Sequence, residues 1–499
     1  MIKKIIAILL ILSFCFTLFA CDNNEKTPDE DYILPTEVID ADISLPYTSA
    51  DTLDPYASKS SMNRDLIPVI YESLYVSTED GKGEMQLAVS GEENGNKLTV
   101  KIKSGVKFSD GVEVNSAYIK ASFERAKSNP YYKANLANVT SIAVEDTYTV
   151  TFTLSRKDPF AFNVLTFPII RISNGKYIGC GKYKLAYLEE MPYLQVNDLH
   201  RDYTSAWHKQ IALYDMAGLS GPIYPFKANQ ISVYKNDLSK VKYINLSSAT
   251  VYQNMNNLVY IGVNSKWAGS VASIAPVRQA MNIGISRVEI AAASFLGQSM
   301  PTITPFKDSF YQLNLEDLPS VQGEFQKAVS ILERSGYNKF TDEGVRTNGT
   351  SSLRVNILVC TENEYKLSVA QAVKNSLQDI GFGVTITEKK TTEDFKAALD
   401  EGHFTLYIGE TELPLNYDLT EFFSENGALS YGIDSEFFKE YQAYENGESS
   451  TMTFVESFET EVPFIPLFYR KAIVSVNPNI VGFEAGASYA SVSVWKVIK

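Results

Sequence analysis

Histidine and cysteine, which often carry catalysis or bind metals, are scarce in this sequence. Three histidines and four cysteines occur among 499 residues. Cys180 and Cys360, the two cysteines far from the amino terminus, provide no disulfide framework, although a single bridge between them stays open. His200 and His208 have no second pair of ligands near them in the sequence, so we expect solvated histidines and no metal site.

Motifs of common enzymes are absent as well. The sequence has no phosphate-binding loop ending in Gly-Lys-Ser/Thr, no Gly-x-Ser-x-Gly elbow and no His-Glu-x-x-His helix. The sequence therefore predicts a protein that is not an enzyme and that uses no cofactor.

Positive charge is in deficit. Lysine and arginine total 45 against 59 aspartate and glutamate residues, for a net charge of −14 at pH 7. Nucleic-acid backbones are bound by clustered cations, so we expect no nucleic-acid partner. The hydrophobic share of 45% and the charged share of 21% are ordinary for a globular protein. At roughly 150 residues per domain, the length predicts about three domains or lobes.

Long apolar runs are missing except at the amino terminus. Lys3 and Lys4 precede an apolar run over residues 5–19. A membrane-spanning helix needs about twenty such residues, so this run is short for that role. The order of charged, apolar and small residues is typical of a secretory signal.

The end of this run resembles the lipoprotein box of bacteria. Leu18, Ala20 and Cys21 stand at the matching positions. We therefore expect that residues 1–20 are removed and that lipidated Cys21 anchors the protein to the outer face of the cytoplasmic membrane. A plain signal peptide, with Cys21 incidental, is the alternative. Residues 21–37 are predicted to form a polar tether.

The first half of the chain shows an α+β pattern. Residues 97–103 alternate as a half-buried strand, and residues 116–127 are helical with Asn115 as the candidate N-cap. Residues 139–154 read as two strands of a hairpin. Helical spacing also occurs over residues 66–76.

In the second half, predicted strands alternate with predicted helices. The strands are expected at 258–263, 353–359, 384–388 and 404–408, and the helices at 277–294, 324–335, 364–380 and 392–400. Such alternation indicates crossover units and a largely parallel sheet. Ligands of such sheets bind beyond the carboxyl ends of the strands. Residues 409–411, directly after a predicted strand, are therefore a candidate site.

Several motifs resemble the solute-binding proteins of peptide and nickel ABC importers. The most specific is the block 97–123, in which a strand leads through a Lys-x-Gly-Val-x-Phe-x-Asp-Gly turn into a helix. Further matches, which extend the resemblance over about residues 38–499, are Leu53-Asp54-Pro55, Tyr71-Glu72-Ser73-Leu74 and the segments 179–183, 277–281, 328–337 and 462–467.

The resemblance implies an α/β fold with two lobes and a hinge, like periplasmic binding proteins of type II. The first lobe would contain residues 38–255 and 476–499, with an extra α+β subdomain at 61–159. The second lobe would contain residues 256–475. Closure around a ligand would present the protein to a permease.

The resemblance also implies the function. A monomer would capture oligopeptides, or a related small solute, between the lobes and deliver them to ABC permease and ATPase subunits. The alternatives are a binder of nickel-type metal chelates, a signalling lipoprotein that senses peptides without transport, and a surface peptidase.

Ligand-binding residues follow from the same resemblance. Many members anchor the α-ammonium of a peptide with an aspartate in a Gly-Trp-x-x-Asp-Tyr-x-Asp-Pro stretch. This sequence lacks the tryptophan, and Leu419 replaces the final proline after Asp418. Asp418 or Glu410 is expected to supply the carboxylate, and the alternative for Asp418 is the N-cap of a helix that starts at Leu419. Tyr431 and Gly432 are implied to line the cleft, with a plain loop as the alternative.

Overall fold

The structure of the protein is a computed structural model, which describes residues 39–238, 243–246, 248–483 and 489–498. The predicted signal segment, Cys21 and the tether lie outside the described residues. Within these ranges no helix is long and apolar enough to cross a bilayer.

The described α-helices are α1 (Ser61–Arg64), α2 (Ile67–Ile70), α3 (Ser116–Ser128), α4 (Pro130–Lys133), α5 (Ile223–Lys227), α6 (Ala275–Gly284), α7 (Arg287–Ala293), α8 (Phe325–Arg334), α9 (Glu364–Asp379), α10 (Thr392–Asp400), α11 (Glu436–Glu445) and α12 (Thr451–Glu461).

The described strands are β1 (Ser44–Tyr47), β2 (Tyr75–Val76), β3 (Glu84–Met85), β4 (Ala88–Asn94), β5 (Lys97–Ile102), β6 (Val139–Asp146), β7 (Thr149–Leu154), β8 (Arg171–Ser173), β9 (Lys176–Ile178), β10 (Tyr183–Leu188), β11 (Met191–Val196), β12 (Gln210–Asp215), β13 (Val233–Asn236), β14 (Ala249–Val263), β15 (Ser299–Pro301), β16 (Lys339–Phe340), β17 (Arg346–Thr347), β18 (Arg354–Cys360), β19 (Gly383–Lys389), β20 (Leu406–Glu412), β21 (Phe464–Val476), β22 (Ile480–Val481) and β23 (Lys496–Val497).

An amino-terminal sheet has the strand order β1-β12-β11-β10, with β1 parallel to β12 and the other pairs antiparallel. Its core contains Ile43 just before β1, Leu45 from β1, Ile211 from β12 and Trp495 near the carboxyl end. The first and last described segments of the chain therefore fold into one core.

A second sheet, of order β4-β5-β7-β6, packs against α3. The Asn115 side chain accepts a hydrogen bond from the Ala117 backbone N–H, which confirms the predicted N-cap. The apolar core of this unit extends from Leu74 to Cys180. Both Cys180 and Cys360 are buried free thiols.

The predicted helix over residues 66–76 is wrong beyond Ile70. Val69 and Ile70 pack in the amino-terminal core, whereas Leu74 and Tyr75 pack in the second core. The chain passes from one core to the other here, and Tyr71 is already extended, with φ of −125°. Tertiary packing thus overrides the helical spacing of the sequence.

The central sheet has the order β13-β21-β14-β20-β18-β19, and β15 pairs with β21. Strands β19 and β20 both run parallel to β18, but β14 is antiparallel to β20 and to β21. The expected largely parallel sheet is therefore wrong for the part built by β13, β14, β15 and β21. Strands β14 and β21, of 15 and 13 residues, pair with each other in antiparallel orientation. They are therefore not the parallel neighbours that a helical crossover unit produces.

A bulge interrupts the pairing of β14 with β21. Asn254 pairs with Lys471 and Leu258 pairs with Tyr469, so residues 255–257 oppose Arg470 alone. Before the bulge β14 pairs only with β21, and after it β14 also pairs with β20. Bulges bend a strand and increase its local twist, so we expect β14 to bend at this point.

Most predicted helices of the second half are observed. The segment 277–294 is an exception, because it is split into α6 and α7 at Ile285, which has an extended backbone, and Ser286 caps α7 by accepting from the Glu289 N–H. Helix α10 has the predicted bounds, and the Thr391 side chain accepts from the Asp394 N–H at its start.

The predicted strand 404–408 in fact continues to Glu412, so residues 409–411 do not form a loop. Gly409 pairs with Tyr260 and Gly262 pairs with Tyr407 across β14 and β20. A Cβ atom built on Gly409 would lie 2.3 Å from the Tyr260 ring. Glycine here makes room for a facing aromatic ring and does not end the strand.

Candidate functional site

A cleft of about 420 Å³ opens beside the bulge of β14. The residues that line it come from the segment around α1, from α4, from the end of β13, from the bulge, from α9 and from the end of β20; they are Lys59, Ser61, Arg64, Asp65, Tyr131, Lys235, Asp237, Met255, Asn257, Lys366, Glu410, Thr411 and Glu412. Segments far apart in sequence therefore meet here, and most of the side chains are charged.

Glu410 lies at the floor of the cleft, and Arg470 lies beneath it. Arg470 is fully buried, and its Nε donates to Glu410 Oε1 at 2.5 Å while its Nη2 donates to Asp237 Oδ1 at 3.0 Å. Lys366 Nζ lies 3.5 Å from Glu410 Oε2. The carboxylate of Glu410, which is 5% exposed, is therefore already neutralised by two cations.

Asn257, within the bulge, lines the cleft and is hydrogen-bonded to Glu410 at its floor. Its Nδ2 donates to Glu410 Oε1 at 3.2 Å, which assigns the amide orientation because a carboxylate only accepts. The Asn257 Oδ1 atom is buried and accepts no hydrogen bond from any residue in the described ranges.

The opposite wall carries Lys59 and Arg64. Arg64 Nη1 donates to the Lys59 carbonyl at 2.5 Å, and its guanidinium lies 4.5 Å from the centre of the Tyr131 ring. Both contacts leave other N–H groups of Arg64 available to a ligand, since guanidinium has five donors. Among the described residues, neither Lys59 nor Arg64 forms an ion pair.

Asp51 and Asn63 hold this wall in place. Asp51 Oδ2 accepts from the Ser60 N–H at 2.6 Å and from the Lys59 N–H at 2.7 Å. These backbone hydrogen bonds, that of Ser60 above all, lower the pKa of Asp51 to about 2. The buried Asn63 amide donates to the carbonyls of residues 48, 51 and 52. The Lys59 backbone and α1 are thereby fixed before any ligand binds.

Unpaired charges of opposite sign remain in the cleft. Lys235 is paired with Asp65. The exposed carboxylate of Glu412, at the end of β20, forms no ion pair with any described residue. Glu412 therefore stands as an unpaired anion in the same cleft as the unpaired cations Lys59 and Arg64.

Asp418 lies in a different cavity, of only about 30 Å³, with Arg156 and Glu445. Asp418 Oδ1 accepts from the Thr420 N–H at 2.8 Å and from the Tyr441 hydroxyl at 3.1 Å. No helix starts at Leu419, so the N-cap alternative is wrong, and Asp418 instead closes a turn. The sequence pattern of an N-cap and of such a turn is the same, because both use a side chain that accepts from the N–H two residues on.

Tyr431 and Gly432 line a third cavity, of about 370 Å³, together with Trp267. It lies near the start of β20, where Leu406 pairs with Val263, whereas Glu410 lies four residues further along. At roughly 3.3 Å per residue this is a separation of about 13 Å along the strand. The structure therefore does not bring Tyr431 and Gly432 together with Glu410.

Gly432 also has a structural role. Its φ is +70°, and a Cβ atom there would lie 2.6 Å from Asn264 Cα. Its carbonyl accepts from the Ser265 hydroxyl at 3.0 Å. These contacts fix the loop against the end of β14.

The expectation of solvated histidines is wrong for His200, which is 4% exposed. Its Nε2 lies 3.5 Å from Glu72 Oε1, and Glu72 also accepts a two-fold hydrogen bond from Arg201. Burial was not foreseen because the partner, Glu72, is distant in the sequence. Within the described ranges, no group of three or more His, Cys, Asp or Glu side chains is placed to hold a metal ion.

Sequence reasoning did not identify Lys59, Arg64, Lys366 or Arg470. Arg470 had a signal, since it interrupts the strongly apolar segment 464–476, and a buried charge requires a partner. The other three gave none, because they are ordinary surface residues until the fold brings them together.

The chain matches a known family over most of its length. The model of the family described as "Bacterial extracellular solute-binding proteins, family 5 Middle" matches residues 82–425. The chain therefore belongs to the family 5 extracellular solute-binding proteins, as its motifs indicated. It is the substrate-binding component of an ABC importer, a class of protein that works with a membrane permease and is not an enzyme.

Individual relatives are distant. Glutathione-binding protein GsiB of Salmonella typhimurium is 22% identical over 481 residues, covering 87% of this chain and 89% of that protein. An ABC transporter substrate-binding protein from Sinorhizobium meliloti has a TM-score of 0.71 at 14% identity, covering 92% of this chain and 100% of the other. NikA from Brucella suis in complex with Fe(III)-EDTA has a TM-score of 0.67 at 18% identity, with coverage of 92% and 100%. The predicted two-lobed α/β fold is thus confirmed.

Proposed function

We propose that the protein captures short peptides, or closely similar zwitterionic solutes, in the charged cleft and delivers them to its permease. The observation that carries this proposal is the presence of unpaired charges of both signs in one cleft, Lys59 and Arg64 against Glu412. A peptide has an ammonium at one end and a carboxylate at the other, so it neutralises both. Interactions of this kind are charge-assisted and stronger than neutral hydrogen bonds.

The bulge of β14 is the proposed hinge. It lies at the junction of the proposed first lobe, residues 38–255 and 476–499, with the proposed second lobe, residues 256–475. Lys59 and Arg64 belong to the first lobe and Glu412 to the second. A ligand that pairs with the cations of the first lobe and with Glu412 of the second would hold the two lobes closed. We propose that the permease recognises this closed form.

Glu412 is proposed to be the main ammonium partner. Glu410 lines the same cleft, but Arg470 and Lys366 already compensate its charge. Asp418 is engaged by Tyr441 in a cavity that holds little more than one water molecule. The sequence points to two carboxylates, Glu410 and Asp418, as ligand anchors. We propose instead that Glu410 supports the cleft by pairing with Lys366, and that Asp418 stabilises the fold through its turn and Tyr441.

Calorimetry with Ala-Ala-Ala and with its N-acetylated form tests the anchor. We expect Glu412→Gln to weaken binding of the free peptide roughly 30-fold, the lower end for loss of one partner of a charge pair, because this carboxylate is exposed without ligand. N-acetylation should weaken wild type to a similar extent and add little to Glu412→Gln. Asp418→Asn, and the surface control Glu401→Gln, should bind as wild type does.

Unchanged affinity of Glu412→Gln would contradict this anchor, and a loss confined to Glu410→Gln or Asp418→Asn would return the role to that residue. Mass spectrometry of ligands released from purified protein identifies the class of solute. Glutathione, the ligand named for the GsiB relatives, is a suitable first probe. A nickel chelate in place of peptides would favour the metal-chelate alternative.

We also propose that the protein is a lipoprotein anchored through Cys21. The wild-type protein should sediment with membranes, and Cys21→Ser should be released or remain unprocessed. A single acyl chain binds membranes only marginally, so stable retention requires more than one chain. Unlipidated wild-type protein as the main species in the medium would contradict this proposal. Uptake of a bound peptide by cells separates transport from sensing alone.

A further inference from the structure

We infer that the cleft selects ligands with net negative charge, namely short acidic peptides. This inference rests on the proposed function and specifies its substrate class. The ligand's ammonium pairs with Glu412, while its two carboxylates, one terminal and one on a side chain, pair with Lys59 and Arg64.

The charges of the cleft carry this inference. Among the residues that the structure describes, four cations and four carboxylates line it, and Arg470 below the floor adds a fifth cation. Asp65 is taken by Lys235, and Asp237 and Glu410 are both taken by Arg470. Two cations and one carboxylate then remain without an ion pair inside the described part of the chain. The cleft is thus cationic within a chain whose net charge is −14, so it attracts anions that the rest of the surface repels.

The guanidinium of Arg64 and the backbone of Lys59 are also held in position. The Arg64 guanidinium is oriented by the Lys59 carbonyl and by the Tyr131 ring, and the Lys59 backbone is held by Asp51. A guanidinium fixed in this way presents a planar pair of N–H groups, which matches a carboxylate in two-fold geometry. A fixed cation loses little conformational freedom when the ligand binds, so its charge contributes to selectivity.

The size of the cleft limits the length of the ligand. Its volume of about 420 Å³ lies toward the lower end of the range of roughly 300 to 1,000 Å³ for small-molecule sites. A peptide of two or three residues suits this volume.

The test compares Ala-Glu-Ala with Ala-Gln-Ala, two peptides of the same shape that differ by one negative charge. In wild type we expect Ala-Glu-Ala to bind at least about ten-fold tighter. Arg64→Gln should reduce this ratio toward one, and Arg64→Lys should retain part of it. The surface control Arg354→Gln, whose arginine is paired with exposed Glu343, should keep the full ratio. A loss of fold would lower both affinities and leave their ratio unchanged, so the ratio reports selectivity alone.

The outcomes separate this inference from the proposed function. Equal affinity for both peptides in wild type, or a full ratio in Arg64→Gln, would overturn the inference and leave peptide capture intact. Failure of both peptides to bind would overturn both. A ratio that falls in Arg64→Gln and declines with added salt supports the inference, because salt screens such contacts.

Discussion

Replacing Arg470 with methionine should lower the free energy of unfolding by about 3–5 kcal/mol, the usual cost of removing one partner from a buried ion pair. The guanidinium is fully buried and is the hydrogen-bond donor to both Glu410 and Asp237. Without it, the buried Glu410 carboxylate keeps only Lys366, at 3.5 Å, and Asp237 loses one of its partners. Urea unfolding of the purified protein, followed by circular dichroism, measures the effect.

Two further variants make this result specific. Arg354→Met removes an arginine whose side chain is 55% exposed, and it should change stability by less than about 1 kcal/mol. The double variant Arg470→Met with Glu410→Gln should regain part of the lost stability, because it no longer buries a Glu410 charge that Lys366 alone compensates. A loss below about 1 kcal/mol in Arg470→Met would show that solvent or Lys366 compensates both carboxylates.

Glu72→Gln should lower stability by about 3 kcal/mol at neutral pH, at the low end for a buried pair. Glu72 is 5% exposed and accepts hydrogen bonds of 2.5 and 2.7 Å from Arg201, next to buried His200. Arg201 is 23% exposed and can reach solvent, which places the cost at the lower end. The same change at the surface, Glu401→Gln, should stay within about 0.5 kcal/mol.

The effect of Glu72→Gln should depend on pH. Burial alone would raise the pKa of Glu72, but His200 and Arg201 outweigh burial and lower it. The ionised carboxylate therefore stabilises the fold above its ordinary pKa, and this stabilisation is lost as the pH falls through the lowered value. The difference in the free energy of unfolding between wild type and Glu72→Gln should therefore become smaller in acid. A gap that is the same at pH 7 and in acid would show that shape, and not charge, determines the effect.

The Tyr-Glu-Ser-Leu motif that helped to reveal the family thus has a physical reason. Glu72 lies where the chain passes from the amino-terminal core to the second core, and there it accepts a two-fold hydrogen bond from Arg201. The glutamate was recognised in the sequence as part of a pattern, and its partner became visible only in the fold.

Local patterns predicted much of the secondary structure. The strand β5, the helix α3 with its Asn115 cap, and the helices α9 and α10 follow from spacing and capping within a few residues. Each of these signals lies in neighbouring residues, so no knowledge of the tertiary structure was needed.

The end of β20 could not be predicted in the same way. Gly409 has the appearance of a strand terminator, but the strand continues because the Tyr260 ring of β14 occupies the space above it. The sequence points to Asp418 or Glu410 as the ligand anchor, whereas we propose Glu412 from the structure, for a related reason. Arg470, sixty residues later in the chain, had already engaged Glu410.

The sequence by itself determined the class of protein, the absence of enzyme motifs and the family, because motifs lie in short segments and composition can be counted without the fold. The tertiary structure alone decided which charges remain unpaired. Lys59 and Arg64 are close in the sequence, but Glu412 lies hundreds of residues further along. The three side chains line one cleft only because the fold brings α1 and β20 together beside the bulge of β14. Whether a charge can bind a ligand depends on what else lies within a few ångströms of it, and that distance is set by the fold.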